Sequence, residues 1–449
     1  MNEKKKDFQK IIQEMPERES KPDEKEVELD LSIPINKAYK YLKSRFEFRF
    51  NVITEEVEYR KKGSKEKFRF IDNKNYKRIY GELRRIGIKI IDAELDSIIG
   101  APDDDLYIGE RFNPFTDYLY KLPEWKEGDP DYIQQFLLQI NLVNEENRIY
   151  FVEFFKKWLV GMIVALLEDE FDPFFVNQLA FVMVGAQGRY KSTFLKRLLP
   201  PEWRTKYYYE SSFVFGNKDS ELLLGTKVLI NLDELSSMNK TDIDKVKQII
   251  TQAEVEVRPA YAREKIKYKR RASFCGSINR KEFLRDETGN RRWFVVEVSK
   301  INIPEEEFDL AKIYSQALYY KQNGFKYWAD QEDIQTIDSK NTEFVSESME
   351  EQLVLSKFKI PEKEDFENNQ VLYLTPTEIA NILSVDNQKL NINNSVVQNI
   401  GKALLKNGFN KKGRRTDHKN VRYFYEVVRM FQQTNAPLET ENKIDVDLI

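Results

Sequence analysis

The sequence predicts an α/β protein whose core is a largely parallel sheet. Between residues 173 and 300, short apolar segments alternate with segments of helical periodicity, which is typical of β–α units. Before this stretch, residues 31–108 combine alternating strands with a helix, which predicts a small α+β domain. After it, residues 371–431 run helix, helix, strand and strand around a basic turn. The core is therefore expected to have a smaller domain on each side.

We expect seven segments along the 449 residues. They are a charged, disordered terminus (1–30), the α+β domain (31–108), a helical collar or lid region (109–172), the core (173–300), a helical connector (301–370), the C-terminal domain (371–431) and a flexible tail (432–449). In the first domain, residues 46–50 and 56–59 alternate as strands, and Tyr76–Leu95 has helical spacing. The apolar run 151–167 predicts a buried helix beside the core.

The composition excludes several kinds of site. Cys275 is the only cysteine and His418 the only histidine, so a disulfide within the chain, a zinc finger and a histidine-based triad are not expected. A net charge of -3 gives no global preference for an acidic or a basic partner. No apolar run reaches the length of a membrane span, and no signal peptide is evident. We therefore expect a soluble cytoplasmic protein.

The most informative segment is an apolar strand, Phe181–Val184, followed by a glycine-bearing loop and Lys191-Ser192-Thr193. Its spacing fits the phosphate-binding pattern G-x-x-x-x-G-K-[ST], in which loop amides wrap the phosphates, the lysine contacts the β and γ oxygens and the hydroxyl holds Mg²⁺. The expected cofactors are thus ATP and Mg²⁺. The candidate binding residues are Gly185, Gln187, Gly188, Arg189, Tyr190, Lys191, Ser192 and Thr193.

Tyr190 occupies the position of the second glycine in this pattern, and Gly188 lies two positions earlier. A side chain there must avoid the nucleotide and accept backbone angles that glycine adopts without cost. Two alternatives stay open: the tyrosine weakens binding, or its ring closes over the base or ribose.

A second apolar strand, Lys227–Leu232, ends in Asp233 and Glu234. After a phosphate-binding loop, such a pair predicts that Asp233 holds Mg²⁺, directly or through water, and that Glu234 polarises the attacking water. The alternative is that both acids only cap the next helix.

Three further features follow in order. Residues 255–271 alternate on both sides of a Pro/Ala/Arg turn, which predicts a β-hairpin with a basic, aromatic tip. Asn279 ends the next strand and could sense the γ-phosphate or orient water; a turn-forming role is the alternative. Arg291 and Arg292 precede another apolar strand, where they suit an arginine finger for a neighbouring subunit's γ-phosphate. A surface ion-pair cluster is the alternative for these two.

This order of motifs resembles the ATPase domain of superfamily 3 helicases. More specifically, it is similar to the virulence-associated protein E family of bacterial mobile elements and prophages, over about residues 110–300. The matching stretches are Asn113–Phe115, Leu122–Trp125, Val184–Gly188, Lys191–Phe194, Asp233–Leu235, Arg258–Tyr261 and Leu284–Phe294.

The resemblance implies an AAA+-like P-loop core, assembly into a ring, often a hexamer, and ATP-driven movement on single-stranded or forked DNA in a bacterial cytoplasm. It assigns the phosphate and Mg²⁺ roles to Lys191 and Ser192, the sensor role to Asn279, and the finger to Arg292 with Arg291 as second choice. It gives Asp233 and Glu234 the metal and water roles stated above. The hairpin residues expected to contact DNA in the ring channel are Arg258, Tyr261, Arg263, Lys265 and Lys267.

The C-terminal segment predicts a winged-helix-like DNA-binding domain. Thr375 and Glu378 form a capping-box signature, Asn394-Ser395 is expected to cap a second helix that ends at Gly408, and two strands follow. The basic wing residues expected to contact phosphates are Lys411, Lys412, Arg414 and Arg415. A basic hairpin used for protein contacts is the alternative.

The preferred function is an ATP-driven ring helicase or translocase that replicates a mobile element. The runner-up is a nucleotide-switched DNA-binding or assembly factor without productive unwinding. A transcriptional regulator is a third candidate, which leaves the ATPase motifs unexplained. The N-terminal domain lacks zinc-binding cysteines and paired polymerase acids, so a primase is expected only as a separate partner.

Overall fold

The computed structural model of this chain has the mixed α/β class that the sequence predicts. It describes residues 29–102, 105–167, 175–211, 213–214, 216–233, 240–257, 265–284, 290–386, 390–415 and 421–430. The predicted terminus 1–30, apart from its last two residues, and the predicted tail 432–449 lie outside the described residues. Across the described ranges, none of the helices combines the length and the apolar character that a bilayer crossing requires.

The N-terminal unit is a four-stranded sheet with three helices. Its elements are α1 (Pro34–Arg45), β1 (Phe46–Asn51), β2 (Glu56–Lys61), β3 (Arg69–Phe70), α2 (Asn73–Arg85), α3 (Asp92–Ile99) and β4 (Glu110–Phe112). The alternating residues of β1 and β2 are strands, as predicted; the two strands pair antiparallel, and β4 pairs with β1 in parallel. This sheet therefore continues past residue 108, where the sequence suggests a boundary.

The single helix predicted over Tyr76–Leu95 is wrong, because α2 and α3 are separate helices. Gly87 has a φ of 84°, a left-handed conformation that glycine adopts without a steric penalty. The Ile88 amide then donates to the Leu83 carbonyl at 3.0 Å, which closes a Schellman-type helix end. Apolar residues of two helices therefore imitate the spacing of one.

Residues 113–167 form a layer that supports the core. Its elements are α4 (Pro114–Leu119), α5 (Tyr132–Leu137), β5 (Ile140–Leu142), a 3₁₀ turn (Glu145–Asn147) and α6 (Arg148–Leu166). α6 is the buried helix that its apolar run predicts, and the rings of Phe151 and Phe155 lie 6.1 and 5.4 Å from that of Phe181 in the core sheet. The layer is not wholly helical, because β5 extends the edge of that sheet.

The core is a six-stranded sheet. Its elements are β6 (Ala180–Val184), α7 (Lys191–Arg197), α8 (Pro201–Tyr207), β7 (Tyr208–Glu210), α9 (Lys218–Thr226), β8 (Leu229–Asn231), α10 (Lys240–Thr251), β9 (Glu254–Val257), β10 (Ile266–Lys269), β11 (Ser273–Ile278), a 3₁₀ turn (Asn290–Arg292) and β12 (Trp293–Ile301). The order is β5-β12-β6-β11-β8-β7, and all strands but β5 run parallel. The carboxyl ends of β6, β11 and β8 thus meet at one edge, where open parallel sheets bind ligands.

Arg270 joins two segments at the amino-terminal side of the core sheet through hydrogen bonds to backbone carbonyls. Its side chain is fully buried, and it donates to the carbonyls of Gln252 at 2.8 Å, Ile250 at 2.7 Å and Asn177 at 3.1 Å. The first two carbonyls lie at the carboxyl end of α10, where a cation is favourable to the helix dipole. Burial lowers the pKa of Arg270 to about 9, so the guanidinium stays charged at neutral pH. The residue therefore ties α10 to the segment that leads into β6.

The predicted connector packs on both neighbouring units. It contains α11 (Leu310–Gln322), α12 (Gln331–Asn341) and a 3₁₀ turn (Thr342–Phe344). Tyr314 of α11 is fully buried, and its hydroxyl donates to the Leu198 carbonyl at 2.6 Å. Asn341 ends α12 and donates to the Trp293 carbonyl at 2.8 Å. Much of the connector is therefore part of the core layer.

The C-terminal unit is larger than the predicted segment 371–431. Its elements are α13 (Met349–Lys357), β13 (Phe358–Lys359), α14 (Lys363–Glu367), β14 (Leu372–Leu374), α15 (Pro376–Asp386), α16 (Asn394–Lys406), β15 (Lys411–Arg415) and β16 (Val421–Arg429). β16 lies between β14 and β15 and is antiparallel to both. Val354 and Phe358 share a core with Ile379 and Leu404, so the unit already includes α13.

The helix caps of this unit are largely as predicted. The Glu378 amide donates to Thr375 Oγ1 at 3.2 Å and the Thr375 amide to Glu378 Oε2 at 2.7 Å, which confirms the capping box. The second cap is one residue earlier than predicted, because Asn393 rather than Asn394-Ser395 accepts from the Val396 amide at 3.0 Å. Gly408 follows the helix with a φ of 79°.

Candidate active site

The loop 185–190 joins β6 to α7 at the carboxyl edge of the core sheet. The Gly185 amide donates to the Ile278 carbonyl at 3.0 Å. A β-carbon at Gly185 would lie 2.5 Å from the Val298 carbonyl oxygen, so the close approach of β12 requires a glycine. Gly188 has a φ of 79°. Both glycines of the sequence motif therefore have a backbone reason to be glycine.

Lys191 is buried beneath this loop, at the first position of α7. Its Nζ donates to the carbonyls of Gly185 at 2.7 Å and Ala186 at 3.0 Å, and to Asn279 Oδ1 at 2.9 Å. Burial lowers the pKa of Lys191, and the negative charge of Asp233 opposes that change. The ammonium group is thus held by three oxygens, which a phosphate group can replace.

Ser192 and Asp233 are joined by a residue that the sequence analysis missed. Ser277, on β11, has its Oγ 2.9 Å from Ser192 Oγ and donates a short hydrogen bond to Asp233 Oδ1. A signal was present in the sequence: Ser277 lies two residues before Asn279, which directly follows β11, and residues two apart along an extended chain lie on the same face. The structure therefore brings together Lys191, Ser192, Asp233 and Asn279 through β11.

The donor set fits Mg²⁺ bound with a nucleotide. Mg²⁺ binds hard oxygen ligands, keeps several waters and commonly takes one or two protein ligands besides the substrate phosphates. The Ser192 hydroxyl and the exposed Asp233 carboxylate supply such oxygens at the mouth of the loop. Each of the two side chains lies within hydrogen-bond distance of Ser277 Oγ, so both lie at the same end of β11.

Six other predicted site residues lie outside the described residues or on a strand of the C-terminal unit. Glu234 of the acid pair and Arg258, Tyr261 and Arg263 of the hairpin tip lie outside the described residues. Arg414 and Arg415 lie on β15 and pair in register with Arg422 and Val421. The roles suggested for these six residues stay predictions.

The described basic residues of the two nucleic-acid surfaces differ in their contacts. β9 and β10 form the predicted antiparallel hairpin, on which Lys267 is exposed and Lys265 lies 3.4 Å from Glu256 Oε2. On β15, the Lys411 ammonium lies 4.2 Å from the ring centroid of Tyr423, while Lys412 forms an ion pair with Glu426. Lys412 would have to leave this carboxylate to bind a phosphate.

Arg291 and Arg292 lie at the amino-terminal ends of the parallel core strands, whereas Lys191 lies at their carboxyl ends. Trp293 pairs with Ala180 at the amino-terminal ends of β12 and β6. At about 3.3 Å per residue of strand, Arg292 is about 20 Å from Gly185. The arginines therefore do not reach the Lys191 site of their own chain.

A cavity of about 610 Å³ opens beside these arginines, with Tyr327 and Trp328 in its wall. Arg291 is exposed, and Arg292 is half-buried. Among the described residues, Nε of Arg292 has no hydrogen-bond partner. Burial lowers the pKa of Arg292, and the charge of Arg291 adds to this effect. Arg292 thus has capacity left for an anionic group.

Tyr190 has a φ of 61° and a ψ of 23°, and this left-handed conformation costs a non-glycine residue about 1–2 kcal/mol. Its side chain is 61% exposed and makes no hydrogen bond or ring contact with the described residues. We therefore expect Tyr190→Gly to change the free energy of unfolding by no more than about +1 kcal/mol, since the flexibility of glycine offsets part of the relief. Nucleotide affinity is expected to stay within about threefold of the wild type.

Chemical denaturation and equilibrium nucleotide binding check this expectation. Tyr190→Ala is the matched control, because it removes the ring and keeps the strained backbone. A similar loss of affinity in both variants would contradict it and indicate that the ring contacts the nucleotide.

Residues 119–346, half of the chain, match the virulence-associated protein E-like domain. The chain belongs to this family. The matched range includes the loop 185–190, Asp233, Asn279 and the arginine pair, but not the basic residues of β15. It ends before the C-terminal unit begins.

Comparison with solved structures adds distant likenesses. The apo structure of the NrS-1 C-terminal region (305–718) shares 15% identity with this virulence-associated protein E-like chain at a TM-score of 0.41, covering 88% of this chain and 99% of that one. A structure titled "SCCmec type IV Cch - active helicase" shares 11% identity at a TM-score of 0.35, covering 85% and 92%. A search of curated proteins finds no match.

Proposed function

We propose that this chain is an ATPase that drives a helicase or translocase ring on DNA. The observation that supports the proposal most is the convergence of Lys191, Ser192 and Asp233 at the carboxyl edge of a parallel sheet. Membership of the virulence-associated protein E-like family supports the same conclusion. In this proposal the core is an AAA+-like P-loop domain.

The contacts of Lys191 suggest how the site responds to ATP. Its ammonium exchanges two loop carbonyls and Asn279 Oδ1 for β- and γ-phosphate oxygens. The loop amides donate to the phosphates, and the Asn279 side chain, released by the lysine, is free to contact the γ-phosphate or the attacking water. Because the lysine is buried, its charge is weakly screened and stabilises the developing negative charge strongly. When bound, Mg²⁺ supplies Lewis-acid stabilisation of the phosphates, with Ser192 and Asp233 as its protein ligands.

The arginine pair supports hydrolysis at subunit interfaces. Since Arg292 is about 20 Å from Gly185 within one chain, it can serve only the site of another subunit. Among the described residues its Nε has no hydrogen-bond partner, so the guanidinium has donor capacity left for a γ-phosphate oxygen. In a ring, which we take to be a hexamer, every site receives one such arginine.

Two basic surfaces support the proposal that DNA is the polymer along which the ring moves. The hairpin β9–β10 has the exposed Lys267 on its second strand. In the C-terminal unit, β14, α15, α16, β15 and β16 follow one another in the order expected within a winged helix, so we assign it DNA binding through Lys411, Lys412, Arg414 and Arg415. In this proposal, the mobile genetic element that encodes the chain supplies a primase as a separate protein.

The test is ATP turnover and strand displacement by the full chain, with and without forked DNA. We expect forked DNA to raise the rate of ATP turnover. We also expect the paired strand of the fork to be released in a reaction that requires ATP. Turnover that ignores DNA, with no displacement from forked or tailed substrates, would contradict a helicase. DNA binding that depends on ATP without displacement would instead favour the nucleotide-switched assembly factor.

A further inference from the structure

The Ser277 hydroxyl links the two side chains that would hold Mg²⁺. Its Oγ donates to Asp233 Oδ1 and lies 2.9 Å from Ser192 Oγ. Ser277 is buried, with 5% of its surface exposed. A buried hydroxyl shared by two elements is fixed in position, whereas a surface serine would rotate freely.

The direction of these hydrogen bonds follows from the number of protons. A carboxylate only accepts, so the single hydroxyl proton of Ser277 is used by Asp233. Between the two serines, Ser192 must therefore be the donor. The proton of Ser192 then points toward β11, and the lone pairs of its oxygen are left for a cation. Asp233 Oδ2 is likewise not used by Ser277.

The sheet sets the position of this hydroxyl. β11 pairs in parallel with β6, which leads into the loop, and with β8, which leads to Asp233. Ser277 lies opposite Met183, and the pairing of Cys275 with Asn231 brings Asp233 to the level of Ser277. The central strand can thus align groups from both of its neighbours.

We propose that Ser277 is a positioning residue for the metal of the ATP site: it orients the Ser192 proton away from the cation and holds Asp233 by one carboxylate oxygen. This inference rests on the proposed ATPase function. Side chains that hold metal ligands by hydrogen bonds typically contribute 10- to 100-fold to metal affinity.

The experiment measures the affinity of the full chain for a fluorescent, non-hydrolysable ATP analogue, in EDTA and over a series of Mg²⁺ concentrations. In Ser277→Ala, we expect the Mg²⁺ concentration for half of the magnesium-dependent gain in affinity to rise roughly 10- to 100-fold. Affinity in EDTA is expected to stay near that of the wild type. Ser277→Thr, which retains the hydroxyl, should restore most of the Mg²⁺ dependence.

Ser273→Ala is the matched control. Ser273 lies on the same strand and face, is fully buried, and accepts from Asn177 Nδ2 at 3.2 Å at the far end from the site. It should leave both affinities unchanged. Thermal unfolding of each variant checks that it is folded.

Three results separate the outcomes. An unchanged Mg²⁺ dependence in Ser277→Ala overturns the positioning role. An equal loss of affinity in EDTA and in Mg²⁺ also overturns it, because that pattern indicates a structural role. If the wild type binds no nucleotide under either condition, the proposed ATPase function itself fails.

Discussion

Lys191→Ala is expected to lower ATP turnover by at least about 100-fold, the loss typical when one buried group that stabilises transition-state charge is removed. The lysine Nζ is the only described cation within hydrogen-bond reach of the Gly185 and Ala186 carbonyls. Its removal leaves no side-chain charge beneath the loop to bind the γ-phosphate. DNA-dependent turnover at saturating ATP, together with strand displacement, measures the effect.

Lys196→Ala is the matched control for this prediction. Lys196 lies on the same helix and is exposed, with its ammonium 6.0 Å from the ring centroid of Tyr208. Its replacement should leave turnover nearly unchanged. If Lys191→Ala keeps more than about a tenth of wild-type turnover, corresponding to less than about 1.4 kcal/mol of transition-state stabilisation, the loop is not the catalytic site.

Arg292→Ala is expected to lower turnover by about 10³-fold or more, as the loss of an arginine finger does in other nucleotide hydrolases. Nucleotide affinity should fall much less, because the arginine acts on charge that develops in the transition state. The decisive measurement mixes Arg292→Ala with Lys191→Ala subunits in equal amounts. About a quarter of random head-to-tail interfaces then combine an intact lysine with an intact arginine, so the mixture should exceed either variant alone.

Arg291→Ala is the control, since Arg291 is exposed and its charge acts on Asp338, whose pKa burial raises. We expect it to retain most of the turnover. A larger loss of ATP turnover in Arg291→Ala than in Arg292→Ala would indicate that Arg291, and not Arg292, is the arginine finger. A mixture of Arg292→Ala and Lys191→Ala no more active than its parts would contradict shared sites.

The sequence predicts those features whose cause is local. The hairpin β9–β10, the buried helix α6 and the Thr375 cap each depend on periodicity or on a cap within a few residues, and the structure has all three. The helix break at Gly87 was missed because apolar residues continue at helical spacing on both sides of it. Local patterns therefore gave the type of element more securely than its ends.

Features that depend on strand order could not be predicted in the same way. Ser277 matters because β11 lies between β6 and β8, and no spacing in the sequence reveals which strands are neighbours. Gly185 is required by the carbonyl of Val298, more than a hundred residues away in the chain. The left-handed backbone angles of Tyr190 are likewise set by the loop, at a position where the sequence pattern has glycine.

The separation of Lys191 and Arg292 at opposite edges of one sheet has a consequence for symmetry. In a two-fold dimer, residue i of one subunit contacts residue j of the other and residue j contacts residue i, so both sites would be completed together only if one self-complementary surface held the lysine and the arginine. Head-to-tail contact joins the Lys191 surface of one subunit to the Arg292 surface of the next. An open assembly then has one unpaired Lys191 surface and one unpaired Arg292 surface at its ends, and these meet when the ring closes. An open head-to-tail pair would therefore have one completed site, whereas a closed ring would have one completed site for each subunit.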